Sequence, residues 1–433
     1  MASTVPSPML TSPYRLAAPN VPLKLFSGAT TLTARGGTTL TAAGPGTLSL
    51  VWLPTPRLVF QTSAAGIMPM AEMEVSVRGA IAPASGRVTN MRVAVGGGIT
   101  SRTTGFLGSR LSRGSGLRLQ SIVFHVANFP EYIGSVVMGR QRPVRARAEF
   151  AVGDWTVRLD CREGLREILG GVAGVGGYVV SHVGDIRRTD GADFDAVDAL
   201  PVIEALGELL SFANCSRTYP LAMVGFVASG RRAWTTWEPP AVAQYATRFR
   251  WFDQSDPTCL GRAMAGLWTR WADPDKRDVF RRVVYLLTDA NRRGVEPGLI
   301  VAQAALELLG WQVLVKETRT LTSSAFDRLS AARMLRRLLR ICRIPVAIPP
   351  ELTDLVAWAA STRIVDGPGA LTRIRNSWVH PPRTGLARPG PEASDAWLLA
   401  LWYIDLVTLR WLDYKGDYSA RVRGGLVEAV PWP

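Results

Sequence analysis

The sequence is poor in cysteine. Its 433 residues include four cysteines, Cys161, Cys215, Cys259 and Cys342, and no two of them form a C-x-x-C pair. Zinc sites and disulfide frameworks need clustered or regularly paired cysteines. We therefore expect no metal site and no disulfide scaffold, and a reducing cytoplasm is the predicted compartment.

The motifs of several common enzyme classes are also missing. The sequence has no P-loop, no G-x-S-x-G elbow, no H-E-x-x-H and no Rossmann fingerprint. The glycines of VAVGGGITS (93–101) are not followed by a helical pattern, so this stretch is predicted to be a loop. We expect no cofactor.

Long uninterrupted apolar runs are absent as well. The N-terminus, MASTVPSPMLTSPYRL, lacks the basic start and apolar run of a signal peptide. The most apolar segment, 298–315, is interrupted by Gln303, Glu307 and Gln312, which is typical of a buried bundle helix. No membrane partner is expected.

Positive charge is abundant, although lysine is scarce. The formal net charge is +15, and Lys24, Lys276, Lys316 and Lys415 are the only lysines among 50 basic residues. An arginine-rich basic surface favours polyanions, RNA above all, through phosphate contacts and counterion release. The alternative cause is a GC-rich genome that prefers arginine codons.

The length predicts two or three domains, and the patterning changes along the chain. Residues 1–25 are rich in Pro, Ser and Thr and are expected to be disordered. Residues 26–160 contain short alternating segments, which favour a β-rich sandwich or barrel. The Gly/Thr-rich tract 27–46 predicts either a hairpin, which we prefer, or a flexible edge.

Residues 161–250 alternate helix and strand patterns and predict a mixed α+β module. From 257 to 425 the apolar period becomes helical. The expected fold class is therefore multidomain α+β, with a helical C-terminal domain. Its predicted helices are 257–271, 275–292, 297–317, 322–342, 350–362, 369–380 and 394–412.

The most informative motif lies in the penultimate predicted helix. It runs from Arg375 through Asn376 to His380 (RNSWVH), and two prolines follow. On a regular helix Arg375 and His380 would lie roughly 7–8 Å apart along the axis and about 140° apart around it. They can converge only if the last turn unwinds or a second chain contributes. An arginine beside a histidine is the minimal set for cutting a phosphodiester.

This hexad resembles the RN-x3-H signature of HEPN domains, and the apolar helix 298–311 and a terminal helix 397–422 extend the resemblance. The whole chain resembles ApeA-type abortive-infection proteins, in which a β-rich N-terminal region precedes a C-terminal HEPN domain. The resemblance implies a helical bundle that acts as a homodimeric, metal-independent ribonuclease on RNA, such as tRNA, in anti-phage defence. An unknown trigger would release it from its N-terminal region.

In this hypothesis Arg375 holds the scissile phosphate and His380 donates a proton to the leaving 5′-oxygen. Asn376 supplies an orienting amide. Gln303 and Glu307, at i and i+4, are candidate supporting polar groups, with Arg373 or Arg375 as partners. Alternatively, Arg375 pairs with an acid while His380 caps its helix. The protein would then be a non-catalytic dimer that binds RNA or a nucleotide.

A second candidate site follows a predicted strand, in SHVGDIRRTDG (181–191). His182, Arg187, Arg188 and Asp190 could bind a phosphate or a nucleotide signal, or they could form a structural turn. His125 alternates with apolar neighbours and is predicted to face the core. The basic face of helix 327–342 (Arg333, Arg336, Arg337 and Arg340) could follow an RNA backbone or simply be solvated.

Overall fold

The computed structural model describes residues 6–34, 40–65, 72–95, 99–380 and 390–433. They form two compact units. The first contains the residues up to Gly207 together with Thr218–Thr247, and the second contains Glu208–Arg217 and Arg248–Pro433. The first unit is β-rich and the second is largely helical. The predicted mixed α+β class, with a β-rich N-terminal region and a helical C-terminal part, is therefore confirmed.

The first unit begins with a closed barrel of six strands in the order β1-β2-β3-β6-β5-β4. Alternate residues fill its interior, as Leu58, Phe60 and Ala64 do in β3. The described parts of the Gly/Thr-rich tract, 27–34 and 40–46, lie in β1 and β2, which pair antiparallel as the preferred hairpin requires. The strands are β1 (Leu23–Ala34), β2 (Leu40–Val51), β3 (Arg57–Ala65), β4 (Glu72–Val77), β5 (Ala84–Val95) and β6 (Ile99–Leu107).

The loop prediction for 93–101 is wrong at both ends of that stretch. Residues 93–95 close β5 and residues 99–101 open β6, and the two strands pair antiparallel, with Val95 opposite Ile99. Residues 96–98 lie outside the described part of the chain. Flanking ladder hydrogen bonds therefore extend further into the glycine-rich stretch than its composition suggests.

An eight-stranded sheet follows in the order β7-β14-β13-β8-β12-β11-β10-β9. The predicted division near residue 160 falls within this sheet, because β11 and β12 pair antiparallel. The barrel and the sheet share one apolar core, in which Trp52 stacks on Tyr178 with ring centroids 5.8 Å apart. The elements are β7 (Leu111–Gly114), β8 (Ser121–Ala127), β9 (Ser135–Met138), β10 (Pro143–Val152), β11 (Trp155–Cys161), α1 (Leu165–Val175), β12 (Val180–Arg188), α2 (Ala196–Asn214), β13 (Leu221–Phe226) and β14 (Arg232–Trp237).

The N-terminal segment (residues 6–22) differs from the disorder expected for residues 1–25. Its backbone N–H at Leu10 donates to buried Asp160 at 2.7 Å, and Ser12 Oγ lies 2.8 Å from His125 Nε2. Buried polar groups need such partners, and here they fix the position of the N-terminal segment. Residues 1–5 lie outside the described residues.

The second unit contains the predicted helices with two changes. The helix expected at 322–342 is two helices, because Ser330 has extended backbone angles (φ −67°, ψ 152°) and caps the second. The helices are α3 (Thr258–Trp271), α4 (Pro274–Ala290), α5 (Val295–Trp311), α6 (Ser323–Asp327), α7 (Ala331–Ile341), α8 (Thr353–Ser361), α9 (Gly367–Val379) and α10 (Pro391–Trp411).

The terminal helix ends at Trp411 and does not extend to residue 422. Asp413 has a left-handed φ of 53° and Gly416 a φ of 127°, so the helical path is broken there. An antiparallel hairpin follows, formed by β15 (Asp417–Ala420) and β16 (Leu426–Ala429).

Helix α5 continues into a π-helix over Gln312–Glu317. Within the described ranges, Val295–Glu317 is the one helix long and apolar enough to cross a membrane, and 61% of its most apolar window is buried inside the protein. Burial of this kind, with Gln303 and Gln312 also buried, fits the predicted core helix.

Candidate functional site

Helix α9 carries the Arg-Asn-x3-His motif, and its start is strongly fixed. Asp366 is the N-cap, and its carboxylate accepts a hydrogen bond from Gly369 N–H at 2.9 Å. Arg336 of α7 binds the same carboxylate through Nε at 2.5 Å and a second nitrogen at 3.0 Å. Leu371, Ile374 and Trp378 are the buried face of α9. The remaining face, which includes Arg375, is therefore oriented by both packing and capping.

His380 lies at the C-terminal end of α9 and is exposed. Its N–H still donates to Asn376 O at 2.8 Å, but its φ of −126° and ψ of 71° leave the helix. The φ differs by roughly 60° from the helical value, so the side chain departs from the helical path. The helix end predicted at residue 380 is thus confirmed to within one residue; the two following prolines lie outside the described residues.

Arg375 is half-buried and contacts its neighbour in sequence. One of its terminal nitrogens donates to Asn376 Oδ1 at 3.1 Å, while its Nε is buried and has no hydrogen-bond partner in the described structure. Within the same residues Arg375 forms no ion pair, so the alternative in which an acid of the bundle neutralises it is not observed. Because Nε is buried, an anion would have to bind the terminal nitrogens of the half-buried guanidinium.

Gln303 and Glu307 of α5 bind each other, with Gln303 Nε2 donating to Glu307 Oε1 at 2.8 Å. Gln303 is buried and Glu307 is exposed. Helix α5 packs against α9, but the hydrogen bonds of the described residues join neither side chain to Arg373 or Arg375. The pair is satisfied by itself.

The second candidate cluster is divided between core and surface. His182 is fully buried, with its ring stacked on Tyr132 and its Nε2 3.3 Å from Cys161 Sγ. Burial lowers the pKa of His182 to about 3 and raises the pKa of Cys161 to about 12, so neither carries charge at neutral pH. An uncharged thiol–imidazole pair of this kind is not an activated nucleophile.

The other members of that cluster lie near the surface and already have partners. Arg187 donates to Asp185 at 2.8 Å. Arg188 donates to Asp190 at 3.1 Å and its guanidinium lies over the Trp155 ring. Asp190 also accepts from Ala192 N–H, as in a capped turn. His182 is therefore not brought together with Arg188 and Asp190 in one site.

His125 faces the core, as predicted. It is fully buried in β8, where its Nδ1 lies 3.2 Å from Ala222 O and its Nε2 contacts Ser12. Burial lowers its pKa to about 4, so it is uncharged at neutral pH. This histidine is structural.

The arginines of the predicted basic face of α7 differ in their surroundings. Arg336 binds Asp366, as described above, whereas Arg333, Arg337 and Arg340 are exposed. The role of Asp366 was not found from sequence, although an aspartate with a proline two residues later is a typical helix-start signal. Within the described residues no group of three or more His, Cys, Asp or Glu side chains could hold a metal ion.

Two parts of the chain match known protein families. Residues 114–248 match a family described as the YopA central domain, and residues 273–430 match the YopA C-terminal domain. The first match starts after the barrel, and the second spans α4 to β16. Neither description states a biochemical activity.

The chain is similar along nearly its whole length to one curated protein, the SPbeta prophage-derived uncharacterized protein YopA of Bacillus subtilis (strain 168). The two are 25% identical over 437 aligned residues, which cover 95% of each chain. No solved structure matches the chain.

Proposed function

We propose that the second unit is a HEPN-like, metal-independent endoribonuclease that cuts RNA, such as tRNA, through its own 2′-hydroxyl. The observation that carries the proposal is the end of α9. There a half-buried arginine without an ion-pair partner among the described residues adjoins Asn376, and an exposed histidine follows the last residue of the same helix.

The chemistry needs no protein nucleophile. The 2′-oxygen attacks the adjacent phosphorus, the bond to the 5′-oxygen breaks, and the proton of the 2′-hydroxyl passes to a base. Protonated His380 gives a proton to the leaving 5′-oxygen, and Arg375 stabilises the negative charge on the phosphorus oxygens. The products are a 2′,3′-cyclic phosphate and a 5′-hydroxyl.

A second copy of the chain completes this site. Arg375 is half-buried, and the exposed His380 at the end of α9 is accessible to a partner. A two-fold axis near the end of α9 would bring the Arg375 of one copy beside the His380 of the other and supply the second histidine as base. We therefore propose a homodimer.

Exposed arginines beside α9 suit an RNA backbone. Helix α7 packs against α9, and its Arg333, Arg337 and Arg340 remain exposed. Phosphate contacts of this kind provide affinity without sequence preference. The N-terminal region would restrain the nuclease until a trigger acts, in the cytoplasm. The prophage origin stated for the similar protein is compatible with a role in defence against other phages.

The test is incubation of the purified protein with total RNA or tRNA in EDTA, followed by end-group analysis. We expect cleavage with cyclic phosphate ends, at least 100-fold slower for His380→Ala and for Arg375→Ala. Arg373→Ala is the matched control, because Arg373 is an exposed arginine two residues away on the same helix. Equal cleavage by wild type and His380→Ala would refute the assignment.

A non-catalytic dimer that binds RNA or a nucleotide is the second candidate. It is favoured by the hydrogen bonds of the described residues, none of which joins the side chains of Arg375 and His380 within one chain. Salt-dependent RNA binding that weakens in Arg337→Ala, without cleavage under any condition, would support it.

A further inference from the structure

The first unit contains a large cleft that is independent of the Arg-Asn-x3-His motif. It has a volume of about 820 Å³, within the range of small-molecule sites. One wall is the N-terminal segment from Pro8 to Leu16. The others are the turn after β9, the end of β11 with the residues that follow it, α1 and β12.

Positive charge dominates the lining. Arg15, Arg140 and Arg162 line the cleft together with the carboxylates of Asp160 and Glu163. Asp160 is already neutralised, because buried Arg147 binds both of its oxygens at 2.7 and 2.8 Å. The ion pairs of the described residues include none between Glu163 and the three arginines. Three cations therefore face one available carboxylate.

Two of these arginines, Arg140 and Arg162, bring like charge into the same cleft. Arg162 is half-buried, and its NH1 donates to Ala17 O at 2.9 Å rather than to a carboxylate. Burial lowers the pKa of Arg162, and the positive charge of Arg140 lowers it further. A bound anion would relieve both effects, and guanidinium groups match phosphate oxygens in geometry.

Much of the remaining lining is apolar, and Thr11, Ser12 and Tyr14 add hydroxyl groups to it. The apolar side chains are those of Met9, Leu10, Leu16, Ile168 and Val183. An inorganic anion would leave this surface unused, whereas an organic group attached to a phosphate would cover it. The volume is more than sufficient for a mononucleotide.

From this arrangement of arginines and apolar side chains around one cleft, we propose that the first unit binds a nucleotide. Its phosphate contacts Arg140 and Arg162, and its base or sugar lies against the apolar wall. The N-terminal segment forms part of the site, so ligand binding also stabilises the contacts of this segment with Asp160 and His125. The proposal does not depend on the ribonuclease hypothesis.

The test is calorimetric titration of the full chain with AMP, GMP, CMP and UMP, with inorganic phosphate and adenosine as separate probes. We expect at least one nucleotide to bind, with affinity at least tenfold lower in Arg140→Ala. Arg140 is exposed, so this variant should fold. Arg142→Ala is the matched control: Arg142 is an exposed arginine of the same turn that does not line the cleft, and binding should be unchanged.

Three results would overturn the proposal: no binding by any nucleotide, equal affinity in Arg140→Ala and wild type, or inorganic phosphate binding as tightly as the nucleotides. The titration is repeated in His380→Ala, where binding should persist. Loss of nucleotide binding in that variant would place the ligand in the second unit and would also contradict the cleft assignment.

Discussion

Replacing the buried Asp366 should loosen α9, the helix that carries Arg375. The carboxylate caps α9 through Gly369 N–H and receives two hydrogen bonds from Arg336. An N-cap contributes about 1 kcal/mol. A charge-assisted bond contributes about 1.5–3 kcal/mol, and partial exposure of Arg336 favours the lower value. Asp366→Ala should therefore destabilise α9 by about 3 kcal/mol.

Hydrogen exchange followed by mass spectrometry measures this locally. A loss of about 3 kcal/mol corresponds to roughly 100-fold faster exchange in peptides from 367–379. Asp366→Asn keeps a cap acceptor and loses the charge, so its effect should be near tenfold. Asp327→Ala is the control, because Asp327 is exposed at the end of α6.

A double-mutant cycle separates the cap from the ion pair. Arg336→Ala should have little further effect in the Asp366→Ala background, because the shared bonds are already lost. Exchange in Asp366→Ala within twofold of wild type would refute this view of α9, as would strictly additive effects of the two substitutions.

Other predictions concern stability. The pKa of His125 is lowered to about 4, so its stabilising effect is present above pH 6.5 and is lost as pH falls from 6.5 towards 4. The loss in the free energy of unfolding should reach about 2 kcal/mol by pH 5. In urea unfolding, the stability of His125→Gln should depend less on pH in this window than that of wild type, and an equal pH dependence of the two would contradict the prediction. Gly266→Ala would place a Cβ 1.7 Å from Leu412 O and should cost several kcal/mol of stability. Gly171→Ala, in open space within α1, should instead stabilise the protein by about 0.5–1 kcal/mol. Equal melting temperatures of the two variants would refute this. Arg147→Met should cost about 3–5 kcal/mol in urea unfolding, because Asp160 would remain buried without its cation; a loss below 1 kcal/mol would show that Asp160 is rehydrated.

Local patterns were sufficient for most elements. The short alternating segments of 26–160 predicted a β-rich region, and the helical period predicted α3 to α5 and α8 to α10 to within a few residues. The end of α9 was also predictable, because a residue before proline avoids helical geometry. These features depend on neighbours in sequence, which the chain displays directly.

Features that depend on distant partners were not predicted. The order of the N-terminal segment depends on Asp160 and His125, more than 100 residues away, and its own composition favours disorder. The cleft arginines were not found for the same reason: Arg15, Arg140 and Arg162 have no shared spacing. The hairpin after α10 was not predicted: the helical period ended at 412, and the family resemblance extended the terminal helix to 422, where the structure has β15 instead.

The contacts of the N-terminal segment impose an order on folding during synthesis. Trp237 Nε1 donates to Tyr14 Oη, and Arg232 donates to Pro13 O, across more than 200 residues of chain. At roughly 5–20 residues per second, about 10–45 seconds pass between translation of these partners. During this time the N-terminal segment, although made earlier, stays without these two partners. Folding of the nascent chain therefore depends on contacts between residues far apart in sequence. Ribosome-bound chains that stop before residue 237 should leave the N-terminal segment open to proteases.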